Sequence, residues 1–235
     1  MSAPHPPKAQ AHGHRSPRKI ALFGGSFDPI HVGHLAVAHA AQRRFDLDEV
    51  YFIPSGRPPH KHRHNLAPFP HRFAMVALAC AENPRFVQSL AEAGSDLSGR
   101  QVFYSIDTVR HFGQRFRRHG DHLYFILGAD SFLEIPTWKE YEALLGSCDF
   151  IAASRPGFRT DMLRLVIPPE LLGRTPALDP RAIALRRTCV YLLDTVRSGV
   201  SATEIRRRLQ RGQSIHGLVP ARVEEYICKQ ALYCQ

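Results

Sequence analysis

The residues best equipped for chemistry lie in one short stretch, Gly24-Gly25-Ser26-Phe27-Asp28-Pro29-Ile30-His31-Val32-Gly33-His34. Paired glycines let backbone amides approach an anion closely, and a helix starting near Gly33 would add its positive end. His31 and His34 are three residues apart, so both can face one ligand at that helix start. The stretch is not a Walker A loop, because no Gly-Lys-Ser/Thr follows, and it is not Gly-x-Gly-x-x-Gly. Taken singly, the glycines fit a plain strand–helix turn and the histidines fit capping or solvated side chains. A zinc pair lacks a third ligand at a recognisable spacing, so no metal ligand is named. Together they are far more specific than either half, and they suit an anionic ligand.

Three other places carry suitable residues. In Val200-Ser201-Ala202-Thr203-Glu204-Ile205-Arg206 the hydroxyls can cap a helix and aim its amides at phosphate, with Arg206 one turn further on. On its own that is an ordinary cap beside solvated arginines. Lys61 lies in a proline-flanked loop with His60, His62 and His64, which reads either as a phosphate arm or as a basic exposed loop. Asp130 follows the most apolar strand. Trp138, the one tryptophan, is either core or a stacking platform.

The elements that must position these residues follow from apolar patterning. Ile20–Phe23, Val50–Ile53, His122–Leu127, Asp149–Ala153 and, last, Val190–Leu193 read as buried strands. Helices are predicted over Gly33–Phe45, Arg72–Ala81, Ser105–Phe116, Trp138–Leu145, Ala202–Gln210 and Ala221–Leu232, with a loop from Ser55 to Pro70. Apolar strands alternating with helices predict an α/β fold, a Rossmann-like doubly wound parallel sheet with a small C-terminal helical subregion. In such sheets ligands bind beyond the carboxyl ends of the strands, where the polar segments above fall.

Composition narrows the class. The chain has 235 residues, 44% hydrophobic and 22% charged, which suits one soluble domain. The longest apolar run, Phe73–Ala81, is too short for a bilayer, and no signal peptide is recognisable, so no membrane partner is expected. Five scattered cysteines without a Cys-x-x-Cys pair argue against a disulfide scaffold and suit a reduced cytoplasm. Residues 1–18 read as a disordered basic tail rich in Pro and His, and 19–235 as the folded domain. The net charge of +10 calls for an anionic partner. It is divided between the tail and the phosphate-facing segments, and no nucleic-acid-recognition motif appears, which disfavours a nucleic-acid-binding module.

Residues 24–34 resemble the signature of the His-x-Gly-His nucleotidyltransferase superfamily. Within it, Lys19 to Tyr226 is similar to the bacterial nicotinate-nucleotide adenylyltransferases. Pro54–Lys61, Arg72 with Met75, Tyr104–Thr108, Gly128–Asp130 with Trp138, and Val200–Arg206 carry the likeness. Ser26 and Ser105 stand where threonine is common, and Ala202 where serine is common. The resemblance implies transfer of adenylyl from ATP to nicotinate mononucleotide, with His31, His34 and Arg206 catalytic. It implies Gly24, Gly25, Ser26, Phe27, Gly33, Asp130, Ser201 and Thr203 around ATP, and Lys61, Tyr104, Ser105 and Trp138 around the mononucleotide. Mg2+ would be carried by the ATP phosphates. Partners are then these small molecules, with no specific nucleic acid, and a homo-oligomer is compatible. The nearest alternative is adenylyl or cytidylyl transfer to another small phosphate, as in pantetheine-phosphate adenylyltransferases. Those chains are shorter, and Tyr104 with Trp138 favours a pyridine.

Overall fold

The computed structural model describes residues 16–56, 66–95, 97, 101–117, 120–154, 157–194 and 199–234. Seven strands form one sheet: β1 (Lys19–Gly25), β2 (Glu49–Pro54), β3 (Phe86–Gln88), β4 (His122–Gly128), β5 (Asp149–Ala153), β6 (Ala182–Ala184) and β7 (Cys189–Leu193). Their order is β3-β2-β1-β4-β5-β7-β6, and every pair is parallel except β6–β7. The order reverses between β1 and β4, so a crevice opens beyond their carboxyl ends, beside Gly24, Gly25 and Gly128.

Side chains of β1 alternate between two cores, as a strand's period of two requires. Ile20 and Leu22 join Phe125, Phe150, Phe112 and Phe132 on one face. Ala21 and Phe23 join Phe52, Met75, Ala38 and Val223 on the other. The covering helices are α1 (Val32–Phe45), α2 (Phe69–Cys80), α3 (Ser105–Phe116), α4 (Ala129–Leu133), α5 (Tyr141–Leu145), α6 (Thr160–Arg164), α7 (Ala202–Gln210) and α8 (Ala221–Lys229). None of the described helices is long and apolar enough to cross a membrane.

Several expectations need correction. The helix predicted over Trp138–Leu145 begins only at Tyr141. Trp138 is extended (φ −84°, ψ 148°) after a 3-10 turn at Ile135–Thr137, and Glu140 is left-handed (φ 49°), which no continuous helix allows. α2 starts at Phe69, before the predicted Arg72, because Pro70 suits a first helical turn, where no amide is missed. The last helix stops at Lys229, short of Leu232, since Ala231 and Tyr233 take positive φ. β3, β6, α4 and α6 were not anticipated: three to five residues carry too little periodicity to register. Arg18 belongs to the fold, not the tail. Its amide donates to Asp121 Oδ1 at 2.8 Å, and its guanidinium donates to Glu49 Oε1 at 2.6 Å and covers the Phe116 ring. The tail expectation for residues 1–15 lies outside the described residues.

Candidate active site

The turn after β1 is built around one ring. Phe27 is buried, has left-handed backbone (φ 45°), and packs against Phe23, Phe52 and His34, with ring centroids 5.6, 5.8 and 5.0 Å away. A non-glycine residue in that conformation costs roughly 1–3 kcal/mol and persists only where packing imposes it. A Cβ on Gly25 would come within 3.1 Å of the same ring, so glycine is needed there for contact as well as for access.

His31, extended (φ −144°, ψ 170°), leads into α1. Its amide donates to His34 Nδ1 at 3.2 Å, and the two rings stack with centroids 3.7 Å apart. A neutral His34 therefore carries its proton on Nε2 and can donate from there. Burial pushes the His31 imidazole down to about 4, while burial and then His31 hold His34 well below the ordinary range. Both rings are neutral N–H donors at neutral pH. Among the described residues nothing bonds to buried His31 Nδ1.

Across from them, α7 presents Arg206. Ser201 Oγ accepts the Glu204 amide at 3.2 Å and caps the helix, as its sequence suggested. Arg206 Nη1 donates to the Asp28 carbonyl at 2.5 Å, and Nη2 reaches Thr203 Oγ1 at 3.4 Å. Its neighbours Arg207 and Arg208 pair instead with Glu204. Beneath the turn, Arg72 is buried. It donates to the carbonyls of Ser26 (2.9 Å), Ser55 (2.7 Å), Gly56 (3.3 Å) and Ala67 (2.9 Å), fastening the loop after β1 to the loop after β2.

On the other side of the glycines lies a cavity of about 250 Å³, lined among others by Gly24, Gly25, Tyr104, Ser105, Trp138 and Glu92. Tyr104, extended (φ −112°, ψ 144°), precedes α3, whose first amides have no acceptor within the helix. Lys139 Nζ sits 4.5 Å from the Tyr104 ring centroid and 3.1 Å from Asp107 Oδ2. Polyphosphate donors on one side of a glycine turn and an aromatic cavity on the other suit a reaction between two phosphorylated ligands, one of them bearing a ring.

The family described as cytidylyltransferase-like matches residues 22–208. A probable nicotinate-nucleotide adenylyltransferase of Moorella thermoacetica is 40% identical over 92% of each chain. Another, from Geobacter sp. strain M21, is 41% identical over 92% of this chain and 98% of its own. The chain belongs to the cytidylyltransferase-like family, among its nicotinate-nucleotide adenylyltransferases. In fold it is similar to the nicotinic acid mononucleotide adenylyltransferase of Plasmodium falciparum complexed with NaAD, with a TM-score of 0.69, 20% identity, and coverage of 92% of this chain and 97% of that one.

Within this adenylyltransferase-family chain, most residues singled out by sequence do assemble. His31, His34, Gly33, Ser26 and Phe27 share the turn with Arg206, Ser201 and Thr203, while Tyr104, Ser105 and Trp138 share the cavity with Gly24 and Gly25. Asp130 does not line the cavity. It is exposed in the first turn of α4, while Gly128 and Ser131 form the wall. Lys61 lies outside the described residues. Sequence reasoning missed Glu92, which accepts from Thr108 Oγ1 at 2.8 Å and whose carboxyl burial pushes up, and it missed Lys139. It also gave Arg72 no role, although a guanidinium on the stripe Phe69, Arg72, Met75, Val76 is a legible anomaly on a buried helix face.

Proposed function

We infer that this protein joins nicotinate mononucleotide to ATP, giving nicotinate adenine dinucleotide and pyrophosphate, a step of NAD biosynthesis. The observation that carries the reading is the Gly24-Gly25 turn standing between a donor-lined phosphate side and the Trp138 cavity. The mononucleotide's phosphate is already a nucleophile at neutral pH, so no general base is required. The protein must align two polyanions and stabilise charge at the α-phosphorus and on departing pyrophosphate.

The first proton-bearing atom we assign is His34 Nε2, donating to an α-phosphate oxygen, with His31 and the Gly33 amide beside it; the Val32 amide is taken by the Leu218 carbonyl at 3.0 Å. Arg206, with Ser201 and Thr203 at the start of α7, receives the β- and γ-phosphates once it exchanges the Asp28 carbonyl for them. The Trp138 ring stacks on the pyridine, and the α3 amides at Ser105, helped by Lys139, take its carboxylate. Exposed Asp130 is assigned to ribose hydroxyls, and Lys61 to phosphate. The phosphate side offers imidazoles, hydroxyls and a guanidinium, and among the described residues no cluster of three metal-ligating side chains exists. That donor set fits magnesium held by phosphate oxygens and water, where it would neutralise charge. We take residues 19–235, together with Arg18, as the catalytic domain. We place the protein in the cytoplasm, where its five free cysteines stay reduced.

The test is pyrophosphate release from ATP with each acceptor offered alone. Nicotinate mononucleotide should exceed nicotinamide mononucleotide in kcat/KM by roughly ten- to a hundredfold, since the amide would set donors against donors at about 1–3 kcal/mol. Faster turnover with phosphopantetheine would overturn the reading.

A further inference from the structure

Asp28 is 1% exposed and collects donors from three segments that the adenylyl-transfer chemistry does not itself account for. The Tyr233 hydroxyl, beyond α8, donates to Asp28 Oδ1 at 2.6 Å, and the Ala67 amide donates to the same oxygen at 3.1 Å. Two donors fill the two lone pairs of Oδ1. Oδ2 is left 3.7 Å from Arg206 Nη1, beyond hydrogen-bond reach, while that nitrogen bonds the Asp28 carbonyl at 2.5 Å. Arg206 is thus held by a neutral acceptor although a carboxylate stands beside it. Tyr233 takes left-handed backbone (φ 67°) at this contact and packs on the core layer that contains Phe27. Burial and then the Asp28 charge push its phenol well above the ordinary range, so it acts as a donor throughout the working pH range.

We propose that Tyr233 is a positioning residue for ATP: by pinning the Asp28 carboxylate through Oδ1, it keeps Arg206 on a neutral carbonyl from which phosphate can displace it. Without that hydroxyl only the longer Ala67 bond holds Oδ1, so the carboxylate can turn and close a charged hydrogen bond to Arg206, about twice as strong as a neutral one, and ATP must then compete with it. The proposal rests on Arg206 gripping the ATP phosphates.

Steady-state kinetics and thermal melts on the full chain with Tyr233→Phe, Arg206→Ala and the double variant test it. Tyr233→Phe should raise KM for ATP roughly three- to tenfold, with kcat and the mononucleotide KM within about twofold. In the Arg206→Ala background the same change should add nothing to KM for ATP, because no guanidinium remains to be captured. Equal effects in both backgrounds, or a fall in kcat with KM for ATP unmoved, would mean a merely structural tyrosine and overturn the proposal. Failure of Arg206→Ala alone to raise KM for ATP would instead remove the phosphate reading of Arg206, and this inference with it. Should Tyr233→Phe fail to fold, Asp28→Asn asks the question from the acceptor's side. A neutral amide offers Arg206 no charged hydrogen bond, so KM for ATP should stay at or below wild type, and a rise overturns the proposal.

Discussion

The phosphate side and the aromatic cavity meet at Gly25 yet are held in different ways. Around the turn, buried polar groups do the holding: Arg72 ties four carbonyls, Asp28 gathers Tyr233 and Ala67, and His34 locks to the His31 amide. Around the cavity, apolar walls dominate, and its exposed cation Lys139 pairs with exposed Asp107. Exposed pairs contribute little, whereas a buried network loses much when one member goes. Geometry on the first side is therefore expensive to disturb, while the second tolerates trimming. That contrast matches the two tasks, charge stabilisation at a fixed point and grip on a flat ring.

The sharpest way to break the contrast is His34→Ala. kcat should fall by about 10²–10³ with KM for ATP little changed, since a donor at the transferring phosphorus acts mainly in the transition state. Retention of more than about half the wild-type kcat would remove His34 from that role. Arg72→Met should destabilise the fold by about 3 kcal/mol in denaturant unfolding, because four carbonyls lose their shared donor in a buried place. A loss under about 1 kcal/mol would show that the network is slack.

Protonation offers a milder perturbation of the same side. His31 sits near 4 in the fold against about 6.5 unfolded, so its contribution is complete above pH 6.5. It should be lost as pH falls toward 4, by up to about 3 kcal/mol, and His31→Gln should lack that portion of the slope. Identical slopes for the two proteins would contradict a neutral buried His31. The smallest effect belongs to the cavity. Trp138→Ala should weaken both pyridine mononucleotides by about 1–1.5 kcal/mol in KM and leave their ratio nearly unchanged, since stacking does not distinguish carboxylate from amide. A changed ratio would make the tryptophan a selector.

The same division decides what could be read from sequence. The turn is legible because its chemistry is local: Gly24 to His34 are consecutive, and the Ser201–Arg206 helix obeys capping rules within one turn, so its bounds were found without error. The parallel sheet was legible from β1, β2, β4, β5 and β7, whose apolar runs outlast any alternative reading. Trp138 lines one cavity with Tyr104 and Ser105, with which the resemblance grouped it, but stands outside the helix predicted for it, because a 3-10 turn and a left-handed Glu140 leave no periodic trace. Glu92 follows β3 in irregular backbone and pairs with Thr108 across 16 residues. Tyr233 and Asp28 are 205 residues apart, and no spacing rule links them.

The neutral imidazoles of His31 and His34 have a further consequence. The two rings add no charge to the turn, so its charge rests on Arg206, whose guanidinium stays cationic while bonded to a neutral carbonyl. Chloride or orthophosphate meets there two neutral N–H donors and a guanidinium already bonded to a carbonyl. Discrimination among anions then depends on how many of these donors one ligand can engage, and a tail of linked phosphates carries the most acceptor oxygens.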